Sequence, residues 1–388
     1  MITVKDSSRC CGCTACQSIC PHDAVTMKAD RLGFLYPEVD ADKCVDCGLC
    51  ESVCAFTSDM ARQMEVPDQL SLEVHAARHN DSEVVGGSQS GGVFTALSDI
   101  VLDDGGVVYG AAFDDEFNVC HKRALTRSGR DAMRGSKYVQ SDLSGIFKLI
   151  REDLAGGRQV MFTGTPCQVA GLKAYIPVRL QENLFTVDFI CHGVPSPSVW
   201  RDYVKYMGRK GRVVKTVFRD KVAVDGDTYP EVFSYEDGSV KKCETYRLLF
   251  HKNIMLRHSC HACPYDITLR KSDLTMGDFW GVEEVLPSFD GVAGTSMLIC
   301  STEKGRAMLE RAVGSMTMRC AVLDHDFISE KNPNLIRPTR MYKDRVKFET
   351  EYAARGFLHV ARKWSDLGVR YRLWRLKVFL RRFVKAER

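Results

Sequence analysis

Apolar and polar positions along this chain change rhythm three times. Residues 1–58 keep no sustained period and consist of short runs broken by turns and cysteines. Residues 59–71 are polar and read as a linker. From about Glu73 to Leu323, short apolar runs alternate with stretches at helical spacing. Residues 107–113, 159–164, 184–190 and 296–301 read as buried strands, and 92–102, 144–155, 197–208 and 303–313 as helices. This alternation predicts an α/β domain with a mixed, partly parallel sheet. Segments 213–219, 231–235 and 240–244 depart from it, and the Glu236-Asp237-Gly238 turn predicts an antiparallel hairpin between the last two. Residues 324–388 read as mostly helical. At their end Val369, Leu373, Leu376, Leu380 and Phe383 recur at helical spacing among Arg370, Arg372 and Arg375.

A length of 388 residues gives room for two or three domains, and 45% hydrophobic residues is ordinary for a soluble chain. No apolar run approaches the length of a membrane span, and the polar start before Cys10 gives no signal peptide, so the expected location is the cytoplasm. The net charge of +4 is misleading. Residues 369–388 carry eight Lys or Arg against Glu387 alone, so the rest of the chain is acidic by three. A nucleic-acid-binding body is not indicated. The basic amphipathic tail suits peripheral contact with the anionic inner face of a membrane, or a partner. A helix packed on its own domain is the alternative.

The 17 cysteines change the picture. In a reducing compartment such a number points to metal or redox chemistry rather than disulfides. Cys10, Cys13, Cys16 and Cys20 follow C-x-x-C-x-x-C-x-x-x-C with Pro21 next, and Cys44, Cys47, Cys50 and Cys54 repeat the pattern. Three closely spaced thiolates can hold one face of an iron–sulfur cube, while the fourth reaches the other cube. Cys10, Cys13, Cys16 and Cys54 are therefore assigned to one 4Fe-4S cluster, and Cys44, Cys47, Cys50 and Cys20 to a second. Zinc knuckles also use C-x-x-C pairs, but a doubled four-cysteine run with proline after the first is more specific to iron and sulfur. Cys11 falls outside the pattern and reads as a bystander. Residues 1–58 resemble the bacterial two-cluster ferredoxins, which implies an α+β ferredoxin-like module.

The segment 86–95 reads GGSQSGGVFT. Its small residues at a helix start leave amides open to a phosphate, although a flexible turn would look the same. Further segments give it weight: 135–141 (GSKYVQS), 162–168 (FTGTPCQ), 191–197 (CHGVPSP), 260–264 (CHACP), 276–281 (MGDFWG) and 331–334 (KNPN). Together they resemble the coenzyme F420 hydrogenase/dehydrogenase beta-subunit family over residues 72–340. Residues 341–388 are left as a helical extension.

That resemblance implies an α/β domain that binds FAD and a 4Fe-4S cluster of its own. Archaeal members exchange a hydride between FAD and a deazaflavin coenzyme, and a related plant enzyme reduces a chlorophyll hydroxymethyl group. Cys167, Cys191, Cys260 and Cys263 are the expected ligands of the third cluster. Cys167 and Cys191 follow strand ends, and Cys260 with Cys263 forms a pair. Alone, the first two would read as core residues and the last two as half a zinc site. The expected FAD contacts are Ser88, Gln89, Ser90, Gly91, Gly92, Lys137, Tyr138, Gly164, Thr165, Pro166 and Asp278. Lys137 can neutralise flavin or substrate charge or be solvated; Asp278 can bind a ribose or form a turn. His192 can donate a proton or cap a turn. The expected function is an iron–sulfur flavoprotein oxidoreductase with a small-molecule substrate and a redox partner such as a ferredoxin or another oxidoreductase. The alternatives are a non-catalytic electron-transfer subunit and a cluster-bearing scaffold without flavin.

Overall fold

The computed structural model describes residues 1–60, 70–221, 229–265, 270–287, 289 and 294–369. Most of the expected linker, and the basic tail from residue 370 on, lie outside these residues. The chain forms two compact units. One comprises Met1–Asp30, Phe34–Val194 and Arg257–Thr339. The other comprises Arg31–Gly33, Pro195–Leu256 and the chain from Arg340 on.

The first unit opens with the cysteine-dense module. A short helix, Ala15–Ile19, precedes two antiparallel strands, β1 (Val25–Ala29) and β2 (Leu35–Val39), in the register Val25 opposite Val39 and Ala29 opposite Leu35. Helices Leu49–Ser52 and Ala55–Met60 follow.

The rest of this unit is built on one eight-stranded mixed sheet. Its strands are β3 (Ser71–His79), β4 (Val107–Phe113), β5 (Val119–Ala124), β6 (Val160–Thr163), β7 (Leu184–Phe189), and three more after the second unit's strands. The second unit holds β8 (Val213–Val217), β9 (Glu231–Tyr235) and β10 (Val240–Cys243). β11 (Leu274–Asp278), β12 (Ser296–Cys300) and β13 (Met316–Asp324) return to the large sheet. The order is β13-β3-β12-β11-β7-β6-β4-β5, parallel from β11 through β4 and antiparallel outside that centre.

Alternation along the central strands feeds two cores. Val108, Ala112 and Met161 face the helices Val93–Asp103 and Glu303–Ala312. Val107, Tyr109, Val160 and Phe162 face Ile146–Ala155 and Pro166–Tyr175, where Ala15 and Val53 of the cysteine module join them. Each fully buried Val or Phe contributes about 1.5–3 kcal/mol. The parallel strands are buried on both faces and read as continuous apolar runs, as such strands must. The four strands and four helices expected from periodicity appear within two residues of the boundaries read. β3, β5, β11 and β13 were not anticipated; the edge strand β13 buries only Met316 and Leu323, so no buried run marks it.

The second unit contains the expected hairpin. β9 and β10 pair antiparallel, with Gly238 at φ +81° in the turn, and β8 joins β9. Its core is aromatic: Trp200 lies 4.4 Å from Phe218 and 5.1 Å from Tyr246 between ring centres. This separate core is why 195–256 leaves the sheet domain and groups with helix Arg345–Trp364, which kinks at Gly356. No helix among the described residues is long and apolar enough to cross a membrane.

Candidate functional site

β4, β6, β7 and β11 run in one direction, and β3 runs with them because two antiparallel pairings through β12 separate it from β11. The loops leaving their C-terminal ends therefore emerge at one edge of the sheet. These loops include 86–92 after β3, 164–167 after β6, 190–194 after β7 and 279–281 after β11. Segment 135–142 reaches the same edge, where Asp142 bridges Cys120 near the start of β5. Such an edge is where α/β proteins collect ligands.

The glycine segment divides in two. Gly91 donates its N–H to Ser296 Oγ (2.9 Å) and accepts from His79 N–H (2.7 Å). A β-carbon on it would stand 2.3 Å from Ala77 O. Gly91 is thus a close-packing residue between β3 and β12. Its amide is already engaged by Ser296 Oγ. Ser90 Oγ donates to Thr295 O (2.8 Å) and Ser88 Oγ to Val84 O (2.6 Å), which fixes the turn around Gln89. Gly92, at φ +83°, starts helix Val93–Asp103 without a side-chain cap, and Thr95 N–H bonds back to Gly92 O (3.0 Å).

Across the edge, Lys137 Nζ donates to Ala132 O (3.1 Å) and Arg134 O (2.9 Å). Burial pushes its pKa down to about 7, so this amine can exchange a proton at neutral pH. Tyr138 follows it. Gln140 and Ser141, at the end of the same segment, are organising residues whose roles the sequence does not signal. Gln140 Nε2 donates to Cys11 O (2.8 Å), and Ser141 Oγ accepts from Gln168 Nε2 (3.0 Å). Gln168 in turn accepts from Thr165 N–H (2.9 Å) in a capping box that starts helix Pro166–Tyr175. Gly164, Thr165 and Pro166 thereby shape the helix start that carries Cys167. Thr165 Oγ1 lies 3.1 Å from Cys167 Sγ.

His121 on β5 carried no sequence signal, being one histidine in the polar run VCHKRA. It is buried, stacks on Phe162 at 5.2 Å, and places Nε2 2.9 Å from Thr163 O. Its Nδ1 is buried with no hydrogen-bond partner, and burial drives its pKa down to about 4. Asp278 ends β11 opposite Ser296. The His192 carbonyl accepts from Thr339 Oγ1 (2.6 Å), which anchors the 190–194 loop.

The cysteines gather beneath this edge. Cys10, Cys13, Cys16 and Cys54 line one cavity of about 280 Å³. The left-handed turn at Gly12 and Thr14 folds the first three round it. Burial raises the Cys16 and Cys10 thiols. Cys11 lines the same cavity, and its largely apolar wall of cysteines suits a cubane cluster. For the other set, helix Ala15–Ile19, which ends before Cys20, contacts helix Leu49–Ser52, which carries Cys50. The Cys50 sulfur accepts from Ile2 N–H at 3.4 Å.

Cys11 is no bystander. Its buried thiol lies against Cys13 and Cys167. That contact brings Cys13 down to about pKa 7 and lowers Cys167 against its burial. Cys11, Phe56, Ala170 and Tyr265 form an apolar cluster on which Cys13, Cys167 and Cys263 pack. Cys260 Sγ accepts from Val194 N–H (3.3 Å), which ties the loop carrying Cys191 to the turn carrying Cys260 and Cys263.

Known proteins share parts of this arrangement. Residues 9–58 match a 4Fe-4S dicluster domain. Residues 157–324 match the family described as the C terminus of the coenzyme F420 hydrogenase/dehydrogenase beta subunit. A solved structure of the F420-reducing NiFe hydrogenase complex from Methanosarcina barkeri, a xenon derivative, contains a similar chain. The match covers 79% of this chain and 97% of that one, at 20% identity and a TM-score of 0.45. No curated protein matches the sequence.

Proposed function

We propose that this chain, a 4Fe-4S dicluster domain joined to the C-terminal region of a coenzyme F420 hydrogenase/dehydrogenase beta subunit, is an FAD-dependent iron–sulfur oxidoreductase. It passes electrons between the dicluster domain and a small substrate. The observation that carries this reading is the apolar packing around Cys11. Cys13 of the dicluster domain, Cys167 and Cys263 all pack on that one apolar cluster.

In this reading Cys167, Cys191, Cys260 and Cys263 hold a third 4Fe-4S cluster. The first turn of helix Val93–Asp103, which lacks a side-chain cap, takes the FAD phosphates, with Ser88, Gln89, Ser90 and Gly92 shaping the approach. Lys137, Tyr138, Gly164, Thr165 and Asp278 border the ring system, and the partnerless Nδ1 of His121 is a buried acceptor beside them. FAD, when bound, supplies the exchange between one- and two-electron transfer. Lys137, with a pKa near 7, holds the proton that a two-electron step requires, and His192 is a second candidate.

The test is anaerobic reconstitution of the full chain, with iron analysis and an absorption spectrum. About twelve irons are expected for three cubanes, and Cys260→Ser with Cys263→Ser removes about four. Iron near eight in both proteins overturns the third cluster, and a spectrum without flavin overturns the flavoprotein. Bleaching by a small molecule, with coenzyme F420 the first to try, supports an enzyme. Bleaching only through a protein partner makes the chain an electron-transfer subunit.

A further inference from the structure

Arg257 is among the largest fully buried side chains of the protein, at 0% exposure. Its guanidinium is held on every side. Nε donates to Cys10 O (2.7 Å), Nη1 to Gln140 Oε1 (2.9 Å), and Nη2 to Leu35 O (2.8 Å). Nη2 also points to Cys10 Sγ at 3.6 Å. The plane lies over Tyr36, 4.2 Å from the ring centre, with Phe34 at 5.5 Å. No Asp or Glu among the described residues pairs with it. A buried cation without a counter-charge is strongly unfavourable. The Cys10 sulfur lies in its reach, and a thiolate-ligated cubane is itself anionic.

We infer that Arg257 is the counter-charge of the cluster held by Cys10, Cys13, Cys16 and Cys54, and that it makes this cluster the more readily reduced of the two. Reduction adds one negative charge to the cluster. A fixed positive charge and an N–H aimed at a ligand sulfur both stabilise that added charge, so both raise the reduction potential. The second cysteine set, on the far side of helix Ala15–Ile19's C-terminal end, has Ile2 N–H on Cys50 and no guanidinium among its described contacts. Electrons entering the dicluster domain would then settle on the cluster next to Cys11 and Cys167. Arg257 is a positioning and tuning residue, since it touches a ligand rather than the reacting substrate. The inference rests on the dicluster domain alone and stands whether or not FAD or a third cluster is present.

The experiment is a redox titration of the anaerobically reconstituted full chain, followed by electron paramagnetic resonance, with iron analysis in parallel. Arg257→Gln removes the charge. With iron unchanged, one cluster signal is expected to lose at least tenfold in its one-electron reduction equilibrium, about 59 mV to more negative potential. The other signal is expected to stay. Arg257→Lys keeps the charge but cannot keep the fork on Cys10 O, Leu35 O and Cys10 Sγ, so its signal should fall between wild type and Arg257→Gln. If Arg257→Gln does not fold, Arg257→Lys decides. Full iron with unmoved potentials in the folded variants overturns the inference. Absence of iron from the wild-type chain would instead remove the cluster itself, a separate outcome.

Discussion

Gly171 faces Cys13 so closely that a β-carbon added to it would stand 2.6 Å from the Cys13 sulfur. A glycine inside a helix costs roughly 1 kcal/mol relative to alanine. Its presence within Pro166–Tyr175 is explained by this approach, which lets the helix carrying Cys167 lie directly against Cys13 of the dicluster domain.

Gly171→Ala should therefore be worse, not better, despite the helix gain. Cys13 must move to admit the methyl group. We expect loss of about four irons per chain and a lower melting temperature. Wild-type iron content with raised stability would show that the close approach is not needed.

Cys11→Ala tests the bridging thiol. Cys11 packs against two sulfurs but has no place in either expected ligand set of the dicluster domain, so iron content should stay at the wild-type value. Loss of the contact with Cys13 should lower the potential of that cluster, and loss of buried packing should cost about 1 kcal/mol in denaturant unfolding. A fall of about four irons would make Cys11 a ligand.

His121 gives a pH dependence with a definite sign. Its folded pKa is pushed down to about 4, below the unfolded value near 6.5. Between those values the unfolded chain binds a proton that the folded chain refuses, so this contribution is intact above about pH 6.5 and lost as the pH falls toward 4. The loss is on the order of 3 kcal/mol by pH 4. Denaturant midpoints at pH 7 and pH 5 should differ less in His121→Gln than in wild type. Equal differences would place the acid sensitivity elsewhere.

Lys137 predicts the opposite limb. Turnover that consumes a proton from its amine should decline as pH rises through about 7. Lys137→Gln should lower the rate and flatten that decline. A profile unchanged in the variant would leave Lys137 with its structural role, closing the turn at Ala132 and Arg134.

Much of this protein is local and hence readable. The spacing Cys10-Cys13-Cys16 with Cys54 names a cluster because neighbouring thiolates on a tight turn have few other uses, and those four do share one cavity. Val107–Phe113 and Leu184–Phe189 show as strands because burial on both faces makes nearly every position apolar. β13 hid because an exposed edge strand alternates with nothing to mark it. The helix-start glycines were legible as a turn, but Gly91 and Gly92 look alike in sequence. Only the pairing of β3 with β12 makes the first a packing residue and leaves the second to open a helix.

Arg257, Gln140, Cys11 and His121 were beyond the sequence for one reason. Each acts through partners more than 40 residues away, apart from the Cys11–Cys13 contact. A buried arginine, an amide or an extra cysteine has no local signature, since its chemistry depends on what is placed opposite it. The sequence by itself determined the spacing of the cysteine runs and the alternating sheet. The tertiary structure alone decided which charge, thiol and ring meet them, because burial and long-range contact set those energies and neither is written in any short stretch of chain.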